Sequence, residues 1–117
     1  MCHVLVIEDD WLIAEYVADV ARDAGATSID MANTQQLAVA AADQNTPGII
    51  LSDVNLIEGT GPQAVETILE RLGPIPVIFI TGTPEDCVPC DPPHVIMGKP
   101  VHAGDLTETF KRLAPIA

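Results

Sequence analysis

Short β-branched runs alternate along this chain with stretches of helical period, and that alternation restricts the fold more than any other feature. The runs are His3–Ile7, Ser28–Ala32, Ile49–Ser52, Val77–Ile80 and Val95–Met97, each too short for an ordinary helix. Between the first two, Ile13, Tyr16, Val17, Val20, Ala21 and Ala24 recur at three and four residues, with Glu15, Asp19, Arg22 and Asp23 opposite. Asp10 suits the N-cap of that helix and Gly25 its stop. Asn33 or Thr34 is placed to cap a second, alanine-rich helix reaching about Gln44, and Pro47-Gly48 turns the chain into the third run. A third helix has Pro62 in its first turn, an apolar face of Val65, Ile68, Leu69 and Leu72, and Gly73-Pro74 as its stop. The last spans about Ala103 to Leu113, with Leu106, Phe110 and Leu113 facing inward.

This order predicts one α/β domain over residues 1–117, with an open parallel sheet and helices on both faces, because right-handed crossovers allow little else. A chain of 117 residues buries an adequate core without metal or disulfide staples. In such sheets ligands gather beyond the carboxyl ends of the strands. The residues there are all polar: Glu8, Asp9 and Asp10 after the first run, Asp53 and then Asn55 after the third, Thr81 after the fourth, and Lys99-Pro100 after the fifth.

Asp10 has work as a helix cap, where its charge also meets the positive end of the helix. The same role would account equally well for Glu8 and Asp9 taken alone, but Asp53, Thr81 and Lys99 at three other strand ends point to a shared site instead. Neighbouring strands lie about 4.8 Å apart, so carboxylates ending adjacent strands reach a common point, where their mutual repulsion is costly unless something offsets it. Mg²⁺ offsets it well: it takes oxygen ligands, keeps several waters and often bridges carboxylates to phosphate.

Charge excludes other classes. Five Lys plus Arg against seventeen Asp plus Glu give a formal net charge of −12, which repels nucleic acid and anionic lipid alike. No apolar run approaches the roughly 20 residues of a membrane span, and the start Met1-Cys2-His3 lacks a basic signal region. A cytoplasmic protein is expected. Three cysteines, an odd number, fit a reducing compartment better than a disulfide framework.

The ordered stretches "VLVIEDD", "IILSDVNLIEGTG", "IPVIFITG" and "GKP" resemble those of receiver domains of two-component response regulators, over essentially the whole chain. The resemblance implies a flavodoxin-like sheet in the order 2-1-3-4-5. It implies that Asp53 is the phosphoacceptor, a carboxylate nucleophile taking a phosphoryl group from a histidine kinase or phosphotransfer protein. Asp9 and Asp53 would bind Mg²⁺ through carboxylates, Asn55 through its backbone carbonyl and Glu8 through water. Lys99 and the Thr81 hydroxyl would contact phosphoryl oxygens, and the Lys99-Pro100 bond would be cis, as is common in the family. Such a module signals by protein contact, or passes phosphate on as a shuttle or sink, and its only catalysis is of its own phosphorylation and dephosphorylation.

The chain departs from the family in three places. Ile96 stands where receivers usually carry an aromatic that moves behind the threonine, so Thr81 and Ile96 form an altered switch pair. Only 18 residues lead from Thr81 to Lys99, and Pro84, Pro89, Pro92 and Pro93 are among them, so the helix expected between the fourth and fifth strands is shortened or lost. The sequence stops directly after the last helix, the pattern of a stand-alone receiver; Phe79-Ile-Thr-Gly82 is a partial match to a Phe-Ala-Thr-Gly subset of that kind.

Cys87-Val-Pro-Cys90 raises zinc or disulfide chemistry, with Cys2, His3 and His94 as further ligands. In a 2-1-3-4-5 sheet Cys2 lies three strands, or about 14 Å, from His94, too far for one ion, so neither chemistry is expected there. The competing function from another class is a Mg²⁺-dependent small-molecule phosphatase or phosphotransferase with an Asp nucleophile. It would need a second carboxylate where Asn55 stands, and a capping insert. A flavodoxin-like cofactor binder would need a Ser/Thr/Gly-rich phosphate loop where the acidic block stands.

Overall fold

The computed structural model describes residues 2–88, 90 and 94–115. Five strands, β1 (His3–Ile7), β2 (Ser28–Ala32), β3 (Ile49–Ser52), β4 (Val77–Thr81) and β5 (Val95–Gly98), form one sheet in the order β2-β1-β3-β4-β5. Every pairing is parallel. Helices α1 (Trp11–Asp23), α2 (Gln35–Gln44), α3 (Gly61–Leu72) and α4 (Ala103–Leu113) complete a three-layer flavodoxin-like sandwich.

Strand alternation divides the core in two. Val4, Val6, Ile49, Leu51, Ile78 and Ile80 point to one face, where Ala14, Val17, Val20 and Ala21 of α1 and Leu106 and Phe110 of α4 cover them. Leu5, Ile7, Ile50, Val77 and Phe79 point to the other, against Ala38 and Ala42 of α2 and Ala64, Val65 and Ile68 of α3. Both faces of β1, β3 and β4 are therefore buried, which is why these strands read as unbroken apolar runs.

The helix ends follow from local chemistry. The Asp10 carboxylate accepts from the backbone N–H groups of Leu12 and Ile13, Thr34 from Leu37, and Thr60 from Gln63. Gly73, at φ 86°, ends α3 in a conformation open to glycine.

Two expectations are corrected. Tyr16, assigned to the buried face of α1, is 41% exposed, and its hydroxyl donates to the Val101 carbonyl at 3.1 Å. Ala14 and Ala18 take the buried positions instead, since small side chains let the helix lie close to the sheet. Cys87 and Cys90, expected to be unbridged, form a disulfide with Cα atoms 5.4 Å apart. Strand spacing keeps Cys2 from sharing an ion with this pair but sets no limit on a bridge between residues three apart. Cys2 is free and buried.

Between β4 and β5 the described residues hold only a 3-10 turn, Pro84–Asp86, as the prolines require. Pro89, Pro92 and Pro93 lie outside the described residues. No helix among the described residues is long and apolar enough to cross a membrane.

Candidate functional site

Glu8, Asp53 and Lys99 each sit one step past the end of a strand, and the backbone of each is still held by the neighbouring strand. The Glu8 N–H donates to the Ala32 carbonyl at 2.9 Å, Asp53 to Ile7 at 2.7 Å and Lys99 to Thr81 at 3.0 Å. The sheet thus delivers these side chains to one crevice on rigid supports. The Lys99-Pro100 peptide bond is cis.

Glu8, Asp9 and Asp53 present carboxylate oxygens within 4.8 Å of one another. Lys99 Nζ stands 2.9 Å from Glu8 Oε1 and 3.2 Å from Asp53 Oδ2. The second Glu8 oxygen accepts the Asp10 N–H at 3.2 Å, and Asp53 Oδ1 accepts the Val54 N–H at 2.7 Å. Asp53 Oδ2 is left on the Lys99 side of the crevice. Asp9 is exposed, whereas the Glu8 side chain keeps only 4% of its accessible surface.

Burial, helped by the neighbouring Asp53, raises the pKa of Glu8 to about 7, against the hydrogen bonds from Lys99 and the Asp10 N–H. Burial pulls the Lys99 ammonium down, but the hydrogen bond and charge of Glu8 and the charge of Asp53 outweigh it, so its pKa rises overall. Three carboxylates meet one ammonium, and the group is short of positive charge. Hard oxygen donors converging in that arrangement fit Mg²⁺.

Thr81 and Asn55 reach the same rim without joining the carboxylate group. Thr81 is buried, and its Oγ1 accepts the Thr83 N–H at 3.0 Å and lies 3.3 Å from Thr83 Oγ1. The Asn55 amide donates to Thr83 Oγ1 at 3.0 Å and to Asp86 Oδ2 at 3.2 Å, and the Asn55 backbone pairs with Thr60 in an isolated antiparallel bridge. Ile96, at 42% exposure, stands on the edge strand in register with Phe79. Trp11 is 67% exposed and lines a cleft of about 220 Å³ with Glu8 and Asp9.

Sequence reasoning missed three contributors. Thr83 joins Thr81 to Asn55, and no local pattern marks it. Ser52 Oγ donates to the Asp53 carbonyl at 2.7 Å. Gly61 begins α3 hard against the Asp53 backbone: a Cβ there would overlap the Asp53 carbonyl oxygen and Ser52 Oγ. The only hint was the glycine in "EGTG" beside a helix cap.

A doubly wound 2-1-3-4-5 sheet with an acidic group and a lysine at its carboxyl edge is the architecture of a signalling receiver. The chain belongs to the response regulator receiver domain family, which residues 4–89 match. It is 39% identical over 85 residues to the phyllosphere-induced regulator PhyR of Methylorubrum extorquens, covering 71% of this chain and 32% of that protein. The solution structure of the PhyR receiver domain of Erythrobacter litoralis superposes with a TM-score of 0.83 at 32% identity, covering 99% of this chain and 95% of that one. The anti-anti-sigma factor PhyR of Bartonella quintana gives a TM-score of 0.82 at 30% identity, covering 96% of this chain and 48% of that one. The chain spans about a third or less of the length of the curated relatives it matches.

Proposed function

We propose that this receiver takes a phosphoryl group from a histidine kinase or phosphotransfer protein onto Asp53. The observation that carries the reading is the convergence of Asp53 Oδ2, Lys99 Nζ and the Glu8 and Asp9 carboxylates in one crevice. A phosphohistidine presented there meets Asp53 Oδ2, the oxygen that faces Lys99; the O–P bond forms as the P–N bond breaks, and the imidazole leaves with the bonding pair. Lys99 is drawn from its carboxylate partners toward a phosphoryl oxygen. Thr81 exchanges its contact with Thr83 for another. Asp9 and Asp53 through their carboxylates, Asn55 through its backbone carbonyl and Glu8 through water would hold Mg²⁺, which would supply neutralising positive charge for the transfer.

The expected setting is the cytoplasm, and the expected output is a contact with another protein. One of the relatives bears on its kind: the PhyR of Bartonella quintana is an anti-anti-sigma factor, so a partner in sigma-factor control is the first to test. The small-molecule phosphatase reading has no support in the crevice, because an amide, Asn55, stands where its second carboxylate would be needed.

Treatment with acetyl phosphate and Mg²⁺ should add one phosphoryl mass to the peptide bearing Asp53, and Asp53→Asn should abolish it. Undiminished phosphorylation of that variant would refute the assignment.

A further inference from the structure

Among the described residues that follow the 3-10 turn, Cys87 and Cys90 join the core layer on the α2–α3 face of the sheet. Cys87 is buried in the same core layer as Phe79, and Cys90 packs against that layer. His94 stands edge-on to the Phe79 ring, with centroids 5.7 Å apart. The disulfide holds the chain to this layer at Cys87, whose N–H donates to the Pro84 carbonyl at 3.1 Å. Immediately before it, Thr83 and Asp86 hold the Asn55 amide, and the Thr83 N–H holds the Thr81 hydroxyl. The bridge therefore anchors the segment that occupies two of the groups on the rim of the crevice.

We propose that Cys87–Cys90 is a redox modification site that controls phosphoryl capture: closed, it keeps Thr83 and Asp86 on Thr81 and Asn55; opened, it frees those two residues to turn to the phosphoryl group. This rests on the phosphoacceptor reading of Asp53. The reductant is a dithiol. Its thiolate attacks Sγ of the half-buried Cys90, the Cys87–Cys90 bond breaks, and the electron pair leaves on the buried Cys87 sulfur. The second thiolate of the reductant then attacks its own bridged sulfur, releasing Cys90. Both protons of the dithiol end on Cys87 and Cys90, and the reductant leaves as a disulfide. Oxidation runs the same steps backward with a small-molecule disulfide.

The test uses the full chain in a Cys2→Ala background, so that the bridge alone changes. Beryllofluoride with Mg²⁺, a mimic of the acyl phosphate, is titrated by Trp11 fluorescence before and after dithiothreitol, with helical circular dichroism recorded for both forms. The reduced form should bind beryllofluoride about fivefold or more tightly than the oxidised form. The Cys87→Ser/Cys90→Ser double variant should match the reduced form. Because coupling is reciprocal, saturating beryllofluoride should shift the thiol–disulfide equilibrium with glutathione toward thiols by the same factor. Equal or reversed affinities overturn the proposal, as does loss of fold on reduction, which would make the bridge a staple. Absence of beryllofluoride binding in both forms overturns the phosphoacceptor reading and this one with it.

Discussion

Gly61→Ala isolates one steric demand of the crevice. Gly61 has no positive φ, so alanine can adopt its backbone conformation, and in a helix alanine gains about 1 kcal/mol over glycine. The methyl group, however, would overlap the Asp53 carbonyl oxygen and Ser52 Oγ and would lie 3.0 Å from the Asp53 carbonyl carbon. Two of these three atoms are backbone, fixed by the bonds from the Asp53 N–H to Ile7 and from the Gly61 N–H to Val54. Relief therefore requires α3 and the end of β3 to part by about 1 Å, at the upper end of the roughly 1–3 kcal/mol that overpacking costs. Set against the gain in helix propensity, a net loss of about 2 kcal/mol is expected, which for a domain of this size lowers Tm by roughly 8 °C. Urea and thermal unfolding measure it. Gly104→Ala, in α4, is the control: a Cβ there meets nothing within 4 Å, so that variant should gain stability, by about 0.5–1 kcal/mol. A Gly61→Ala protein within 0.5 kcal/mol (~2 °C) of the parent would refute the argument.

Without metal, the protein should lose stability as pH rises from about 5 to 8. Glu8 binds its proton more tightly in the folded state, at about 7, than in the unfolded chain; its contribution is thus full below the ordinary carboxyl value and lost through pH 7. Tm measured in EDTA across that range should show the slope, and Glu8→Gln should flatten it. Lys99→Met removes the ammonium that competes for Glu8 and Asp53, and should raise Mg²⁺ affinity on the order of tenfold by Trp11 fluorescence; unchanged or weaker binding would contradict it. Thr34→Ala removes the acceptor for the Leu37 N–H and should cost about 1 kcal/mol in urea unfolding without altering the Mg²⁺ titration.

Much of this was legible along the chain. The first three strands and the last helix occupy the residues expected of them, because β-branched runs, caps and helical period are local signals. Glu8, Asp9, Asp53 and Lys99 could be nominated because a parallel sheet puts all its strand ends on one edge. Tyr16 could not be placed correctly, since helical period gives a stripe but not the line along which Ala14 and Ala18 let α1 settle on the sheet.

The sequence by itself determined the order of elements, the 3-10 turn in place of a regular helix among the described residues between β4 and β5, and the set of acidic and basic groups at the strand ends. Only the tertiary structure decided which of those groups touch, that Thr83 ties Thr81 to Asn55, that Gly61 must leave room for Asp53, and that Cys87 and Cys90 join in the core layer that also holds Phe79. The physical reason is range: caps, prolines and periodicity act within a turn or two of chain. The contacts of Asp53 with Lys99 and Gly61 exist only once strands and helices distant in sequence have packed.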